Sequence, residues 1–311
     1  MNALMKKSAI DFSWVAFAKC WSLAKICRES DALVSCSLVA LLGLFMLLTA
    51  CSEKYTSSPS CVGQGNSNRS AIPIHMPDGN VRSMGITEVT NVQFSEFVQA
   101  TDYVTLAEQI DPVTDRPRGS AVFQQPKQAM GRWWRLDESA NWRQPTGLGS
   151  SIDDLGDYPV VHVAYEDALA YALWLGADIP TQSEWSAAAV GGPDHYADGG
   201  GRNISPSVGN TWQGYFPFEN VEADGFAGAA PVGCYPPDEQ GLFDMSGNVW
   251  EWTKPDLADA HFSVLVGGSY LCSENFCRNG SPRGRQLQEL SFSASHIGFR
   301  VILDAAPTVD R

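Results

Sequence analysis

The feature that most restricts this chain is an apolar run from Leu33 to Ala50, preceded by basic residues and closed by Leu48-Thr49-Ala50-Cys51. A run of about 18 apolar residues reads as an export address or a membrane anchor, not as part of a water-soluble core. The closing tetrapeptide resembles a bacterial lipobox, whose cysteine is lipidated and becomes the first mature residue. Cys51 would then hold the protein on a membrane by acyl chains. An uncleaved transmembrane anchor is the alternative, and either reading exports the folded part to the cell envelope. The next stretch, Ser52 to Arg69, is rich in Ser, Asn and Gly, the composition of a flexible tether. The expected organisation is an export signal over residues 1–51, a tether over 52–75 and one folded domain over 76–311.

That domain must be built largely from loops. The chain holds 28 glycines, 18 prolines and 10 tryptophans, with only 18% charged residues, which describes an aromatic-packed globule rich in turns. The formal net charge is -14. Residues 1–50 contribute five basic side chains (Lys6, Lys7, Lys19, Lys25, Arg28) and three acidic ones (Asp11, Glu29, Asp31), so the excess of negative charge lies downstream. Nucleic acid, which demands a basic face, is excluded as a partner.

Of eight cysteines, Cys20, Cys27 and Cys36 precede the predicted lipidation site at Cys51, leaving Cys61, Cys234, Cys272 and Cys277. Cys61 falls in the tether and Cys234 in a loop, and a chain with this much apolar core needs no stapled scaffold. Only the close pair, Cys272 and Cys277, calls for its own explanation.

Secondary-structure signals are clear at a few places. Thr90 with Gln93 makes a capping box, predicting a helix from about Asn91 to Ala100 with Phe94, Phe97 and Val98 on one face. Tyr158 to Val163 reads as a short apolar strand. Ala168, Tyr171, Ala172 and Leu175 then repeat at helical spacing until Gly176. Thr181 and Glu184 form a second capping box that opens a helix through Trp185 and Ala189, closing at Gly191-Gly192. Brief strands are expected at Phe262 to Val266 and Ile297 to Leu303.

Several strings stand in a telling order: Glu88-Val89-Thr90-Asn91, Pro180-Thr181-Gln182-Ser183-Glu184-Trp185, and Asn210-Thr211-Trp212-Gln213-Gly214. Then come Gly241-Leu242-Phe243-Asp244-Met245-Ser246-Gly247-Asn248-Val249-Trp250-Glu251-Trp252, Gly267-Gly268-Ser269-Tyr270-Leu271-Cys272 and His296-Ile297-Gly298-Phe299-Arg300. In this order they resemble the sulfatase-modifying-factor family, to which the formylglycine-generating enzymes belong, over roughly Ile86 to Leu303. The resemblance implies a mixed α/β fold: one compact, loop-rich domain related to the C-type lectins.

It also implies an activity, because Cys272 and Cys277 keep the family's spacing. Two thiolates on one turn are soft ligands that suit copper(I). The family's reaction uses dioxygen and an external thiol reductant to oxidise the cysteine of a Cys-x-Pro-x-Arg segment in an unfolded sulfatase. A thioaldehyde forms, and its hydrolysis leaves formylglycine. Ser269 and Trp250 would line the oxygen pocket, and Arg285 matches a substrate-binding arginine. A structural disulfide or a zinc half-site are the alternatives for the pair. Zinc lacks further ligands nearby, whereas a disulfide suits an oxidising compartment.

The resemblance further implies two calcium sites. One would use Asn210 and Asp224 side chains with the carbonyls of Thr211 and Phe226. The other would use Asp244 and Glu251 with the carbonyls of Gly247 and Val249. Oxygen ligands spread over loops suit calcium, although turn and capping roles would explain the same carboxylates. Trp133, Trp134, Trp142 and Trp252 read as core. After Cys277 the family's basic aromatic run is replaced by Arg278-Asn279-Gly280-Ser281-Pro282-Arg283-Gly284-Arg285, so the peptide groove differs.

Two other function classes remain on the same fold. One is a non-enzymatic envelope lipoprotein serving as scaffold or ligand-binding module, which has no use for a copper-spaced cysteine pair. The other is an iron-dependent sulfoxide synthase, which needs clustered ligands, whereas His75, His162, His195, His261 and His296 are scattered.

Overall fold

A computed structural model describes residues 61, 70–76, 78–127, 131–189, 207–257, 260–273, 275–277 and 284–304. The expected export signal, Cys51 and His195 lie outside the described residues, as do Gly191-Gly192 and the basic positions Arg278 and Arg283. No helix among the described residues is long and apolar enough to cross a membrane.

Three helices form where the capping signals fall. Helix α1 (Asn91–Thr101) opens on Thr90, whose hydroxyl accepts from the Gln93 amide while Gln93 accepts from the Thr90 amide. That reciprocal pair satisfies two backbone donors the helix itself leaves orphaned. Helix α2 (Tyr165–Leu175) starts over Asp167, which accepts from the Ala164 amide at 2.8 Å, and stops at Gly176, left-handed at φ 75°. Helix α3 (Gln182–Ala188) repeats the capping box with Thr181 and Glu184.

The strands are short. β1 (Ala71–His75), β2 (Val81–Gly85) and β11 (Ile302–Asp304) make one antiparallel sheet with β2 in the middle. β10 (Ile297–Gly298), β7 (Trp250–Trp252), β8 (Phe262–Val266) and β9 (Arg285–Glu289) make a second, in that order, with β10 parallel to β7. Two-stranded ribbons pair β3 (Ile110–Asp111) with β4 (Arg116–Pro117) and β5 (Ser120–Phe123) with β6 (Trp134–Asp137).

Three expectations are corrected here. The tether is shorter than expected, because residues 71–75 form β1 and bury Ile74 against Met84 and Trp185. Tyr158 to Val163 is not a strand. It is threaded between loops, with the Val160 amide donating to Val89 and the His162 amide to Ala294, and His162 turns left-handed at φ 61°. Ile297 to Leu303 splits into two strands, because Arg300 turns inward between them and Gly298 passes so near Val160 that a Cβ would sit 2.6 Å from its carbonyl oxygen.

Cys61 and Cys234 are joined in a disulfide that closes a span of 173 residues, and Cys61 is buried. Composition had made the region look like an unattached tether, but a polar, glycine-rich stretch says nothing of whether its ends are pinned. The main core packs Phe94, Phe97 and Tyr171 with Trp142, Trp250, Trp252 and Phe299. Edge-to-face rings such as Phe94 on Trp142, 5.1 Å apart, hold the helices to the loops.

Candidate active site

The Gly-Asn-Val-Trp-Glu-Trp string wires the domain together. Asn248, left-handed at φ 53° and fully buried, donates from Nδ2 to Glu88 and accepts at Oδ1 from Ala230 and Asn210. Its main chain donates to the Asn210 carbonyl and accepts from the Tyr270 amide. Gly247 comes so close to the Asn210 carbonyl that any Cβ would collide with it. Glu251, also fully buried, accepts from Arg300 at both oxygens, each at 2.7 Å, and from the Trp185 indole at 2.7 Å. In the sequence Asn248 and Arg300 stand out only as members of their motifs. The signal for their roles was a polar residue inside an otherwise apolar string, which must find partners when buried.

Cys272 and Cys277 lie at the two ends of one turn, 4.8 Å apart at Cα, and their sulfurs are joined as a disulfide. Cys272 is buried in the core beside Trp250, and Cys277 is half-buried and left-handed at φ 53°. The Ser269 hydroxyl stands 4.0 Å from the Cys272 sulfur. Because that oxygen already accepts from the Leu271 amide, its proton is free to point at sulfur. The structure thus brings together Cys272, Cys277 and Ser269, with Trp250 in the same core as Cys272. Reduced, the pair would present two adjacent soft sulfurs, a donor set that fits copper(I).

Around this turn runs an aromatic wall. Phe276, inside the turn, stacks on Phe216 with centroids 4.2 Å apart, and Trp133 lies 5.8 Å from Phe216 and 6.1 Å from Phe276. Phe123 and Trp212 continue it inward. Trp133, read from the sequence as core, is half-buried in this wall. Arg285 is directed elsewhere: its Nη2 donates to Ser186 at 2.6 Å and its guanidinium lies 5.9 Å from the Trp185 ring. These contacts tie β9 to α3.

The two proposed calcium sets differ in fit. Asn210 Oδ1 is buried without a partner while its Nδ2 is held by Gly228 and Asn248. Asp224 accepts from the Thr211 and Phe226 amides, and burial raises its pKa. An orphaned oxygen beside a half-desolvated carboxylate suits a hard cation. In the second set Asp244 Oδ1 is likewise without a partner, while Glu251 accepts from Arg300 and Trp185 at Oε2 and from Arg300 alone at Oε1, which keeps a free lone pair. Glu88 lies beside Asp244 with its Oε2 unpartnered. Burial pushes Glu88 well above the usual carboxylate range and Asp244 to about 6. No group of three or more His, Cys, Asp or Glu side chains able to hold a metal occurs among the described residues.

The described histidines do not gather either. His162 bonds Ser120 and the Pro145 carbonyl, His296 packs on Trp134 at 4.8 Å, and His75 and His261 are exposed. Burial depresses His162 to about 4 and His296 to about 3.

A loop-built α/β domain whose polar keystone supports a two-cysteine turn defines the class. Residues 62–305 match the model of the sulfatase-modifying factor enzyme 1-like domain, and the chain belongs to that family. It is 38% identical over 270 residues to a formylglycine-generating enzyme of Mycobacterium tuberculosis, covering 75% of this chain and 90% of that one. It is also 38% identical over 230 residues to a protein of Bos taurus named an inactive C-alpha-formylglycine-generating enzyme 2, covering 70% of this chain and 75% of that one. Among solved structures, PvdO of Pseudomonas aeruginosa aligns with TM-score 0.47 and 19% identity over 76% of this chain and 91% of that one.

Proposed function

We propose that this chain is a copper-dependent oxidase that converts a cysteine of a sulfatase-type polypeptide to formylglycine. The observation that carries the reading is the pairing of Cys272 and Cys277 on one turn, beside Ser269 and Trp250, in a chain similar to formylglycine-generating enzymes. Overall, one peptidyl cysteine, one dioxygen and two reductant thiols give formylglycine, hydrogen sulfide, one disulfide and one water. Copper(I), when held by the two thiolates, supplies the one-electron chemistry with dioxygen. Cys272 anchors the site from the core, and half-exposed Cys277 marks the side from which a peptide thiol can approach. The Ser269 hydroxyl donates toward the Cys272 sulfur and steadies it as thiolate, and the Trp250 ring keeps water from the buried side. The aromatic wall of Phe276, Phe216 and Trp133 gives an unfolded segment an apolar surface to lie on.

Calcium at Asn210 and Asp224, and a second cation near Asp244, would brace the loops behind the turn. Export as a Cys51-anchored envelope lipoprotein is part of the proposal. A Cys61–Cys234 disulfide suits the oxidising compartment such export reaches.

The test is to reduce the protein, add one equivalent of copper(I) and a Cys-x-Pro-x-Arg peptide in air, and weigh the peptide. The expected product has an aldehyde in place of its thiol; unchanged peptide with copper-loaded protein refutes the oxidase. A second reading, a non-enzymatic envelope scaffold, is favoured by the disulfide-closed state of the pair and by similarity to a relative named inactive. It predicts unchanged peptide.

A further inference from the structure

Between the two cysteines lies a residue that neither the motifs nor the chemistry assigns. Asn275 is exposed, yet its side chain makes two hydrogen bonds with the main chain of Phe216. Oδ1 accepts from the Phe216 amide at 3.0 Å, and Nδ2 donates to the Phe216 carbonyl at 2.9 Å. The same Oδ1 accepts from the Ser273 hydroxyl at 3.0 Å. The Ser273 amide donates to the Phe276 carbonyl at 2.8 Å, closing the turn, and the Trp212 amide donates to the Cys272 carbonyl at 3.0 Å. Phe276 then stacks on Phe216 with rings inclined by only 9°. The loop from Trp212 to Phe216 thus grips the cysteine turn at Cys272, at Asn275 and at Phe276.

We propose that Asn275 is a positioning residue, which through its paired bonds to Phe216 fixes the turn so that the two cysteine sulfurs stay within reach of one another and of a shared metal. The inference deepens the oxidase reading. A turn of four intervening residues, with Cys277 already left-handed, has many conformers that part the sulfurs. Each one the Asn275 clamp removes raises the effective concentration of one thiol at the other. An unclamped turn loses that advantage for any reaction needing both sulfurs at once, whether copper binding or disulfide closure.

Both can be measured on the full-length protein. Copper(I) affinity is read by competition with a chromophoric chelator. Disulfide closure is read by equilibrating the pair with oxidised dithiothreitol, in which Cys272 and Cys277 give up two protons and two electrons while the cyclic reagent opens to its dithiol. In Asn275→Ala both constants are expected to fall in parallel by roughly tenfold, since three neutral hydrogen bonds, two with Phe216 and one from Ser273, are lost. Asn275→Asp keeps the acceptor to the Phe216 amide but loses the donor, and should fall in between. Thermal midpoints identify any variant that fails to fold, in which case the Asp variant decides. Unchanged constants in a folded variant overturn the proposal, as does a fall in copper affinity without a matching fall in disulfide closure. If wild-type protein binds no copper, the oxidase reading fails on its own, and the dithiothreitol equilibrium still decides the role of Asn275.

Discussion

The keystone around Asn248 and the turn around Cys272 sit in one domain but are held by opposite means. The keystone is sealed and rich in ionisable groups: Glu88, Asp244, Glu251 and Arg300 are all buried, and the Glu251–Arg300 pair is satisfied at both ends. The turn is shallow and neutral, tied by amide and hydroxyl bonds and by stacked rings, with Cys277 half-buried and Asn275 and Phe276 exposed. Breaking a buried ion pair costs several kcal/mol, whereas loosening a surface turn costs about one. A chain of this family can therefore lose the turn's chemistry and keep the fold, but not the reverse.

That contrast can be broken most sharply at Cys272. Cys272→Ser should reduce peptide oxidation to background while moving the thermal midpoint little; a large loss of stability would show that the turn supports the fold after all. At the keystone, Arg300→Met should destabilise by about 3–5 kcal/mol in denaturant titration, because Glu251 is left buried without its charge partner. Replacing Glu251 by Leu in the same protein should recover part of that loss. Removing the Cys61–Cys234 link by serine substitution should cost about 2–4 kcal/mol with copper affinity unchanged. A change in copper affinity would tie the disulfide to the turn.

The smallest effect concerns His162, held neutral by burial with its pKa at about 4 against the ordinary histidine value of 6.5. The unfolded chain takes up this proton at a higher pH than the fold does. Stability should therefore fall as pH drops from 6.5 toward 4, by about 1.4 kcal/mol at pH 5.5 from this group. Comparing the pH dependence of wild type with His162→Gln isolates it, and identical slopes would refute it.

The sequence was most readable where local chemistry and global fold agree. The capping boxes of Thr90 and Thr181 and the stop at Gly176 mark helix ends because their bonds span only a few residues. The cysteine turn was legible for the same reason, since both its cysteines fall within one short string. What escaped depends on distant partners. Glu251 is paired with Arg300 and Arg285 donates to Ser186, and neither pairing is written in the strings that surround them. The Cys61–Cys234 link was hidden because nothing local to either cysteine announces a partner 173 residues away.

That link also orders events during biosynthesis. A growing chain delivers its amino end first, so Cys61 waits through most of synthesis for Cys234, which arrives ahead of Cys272 and Cys277. Cys61 and Cys234 are therefore both made before either cysteine of the later pair. The order of the cysteines along the chain thus gives the long-range bridge a head start, although exchange can still reshuffle the thiols.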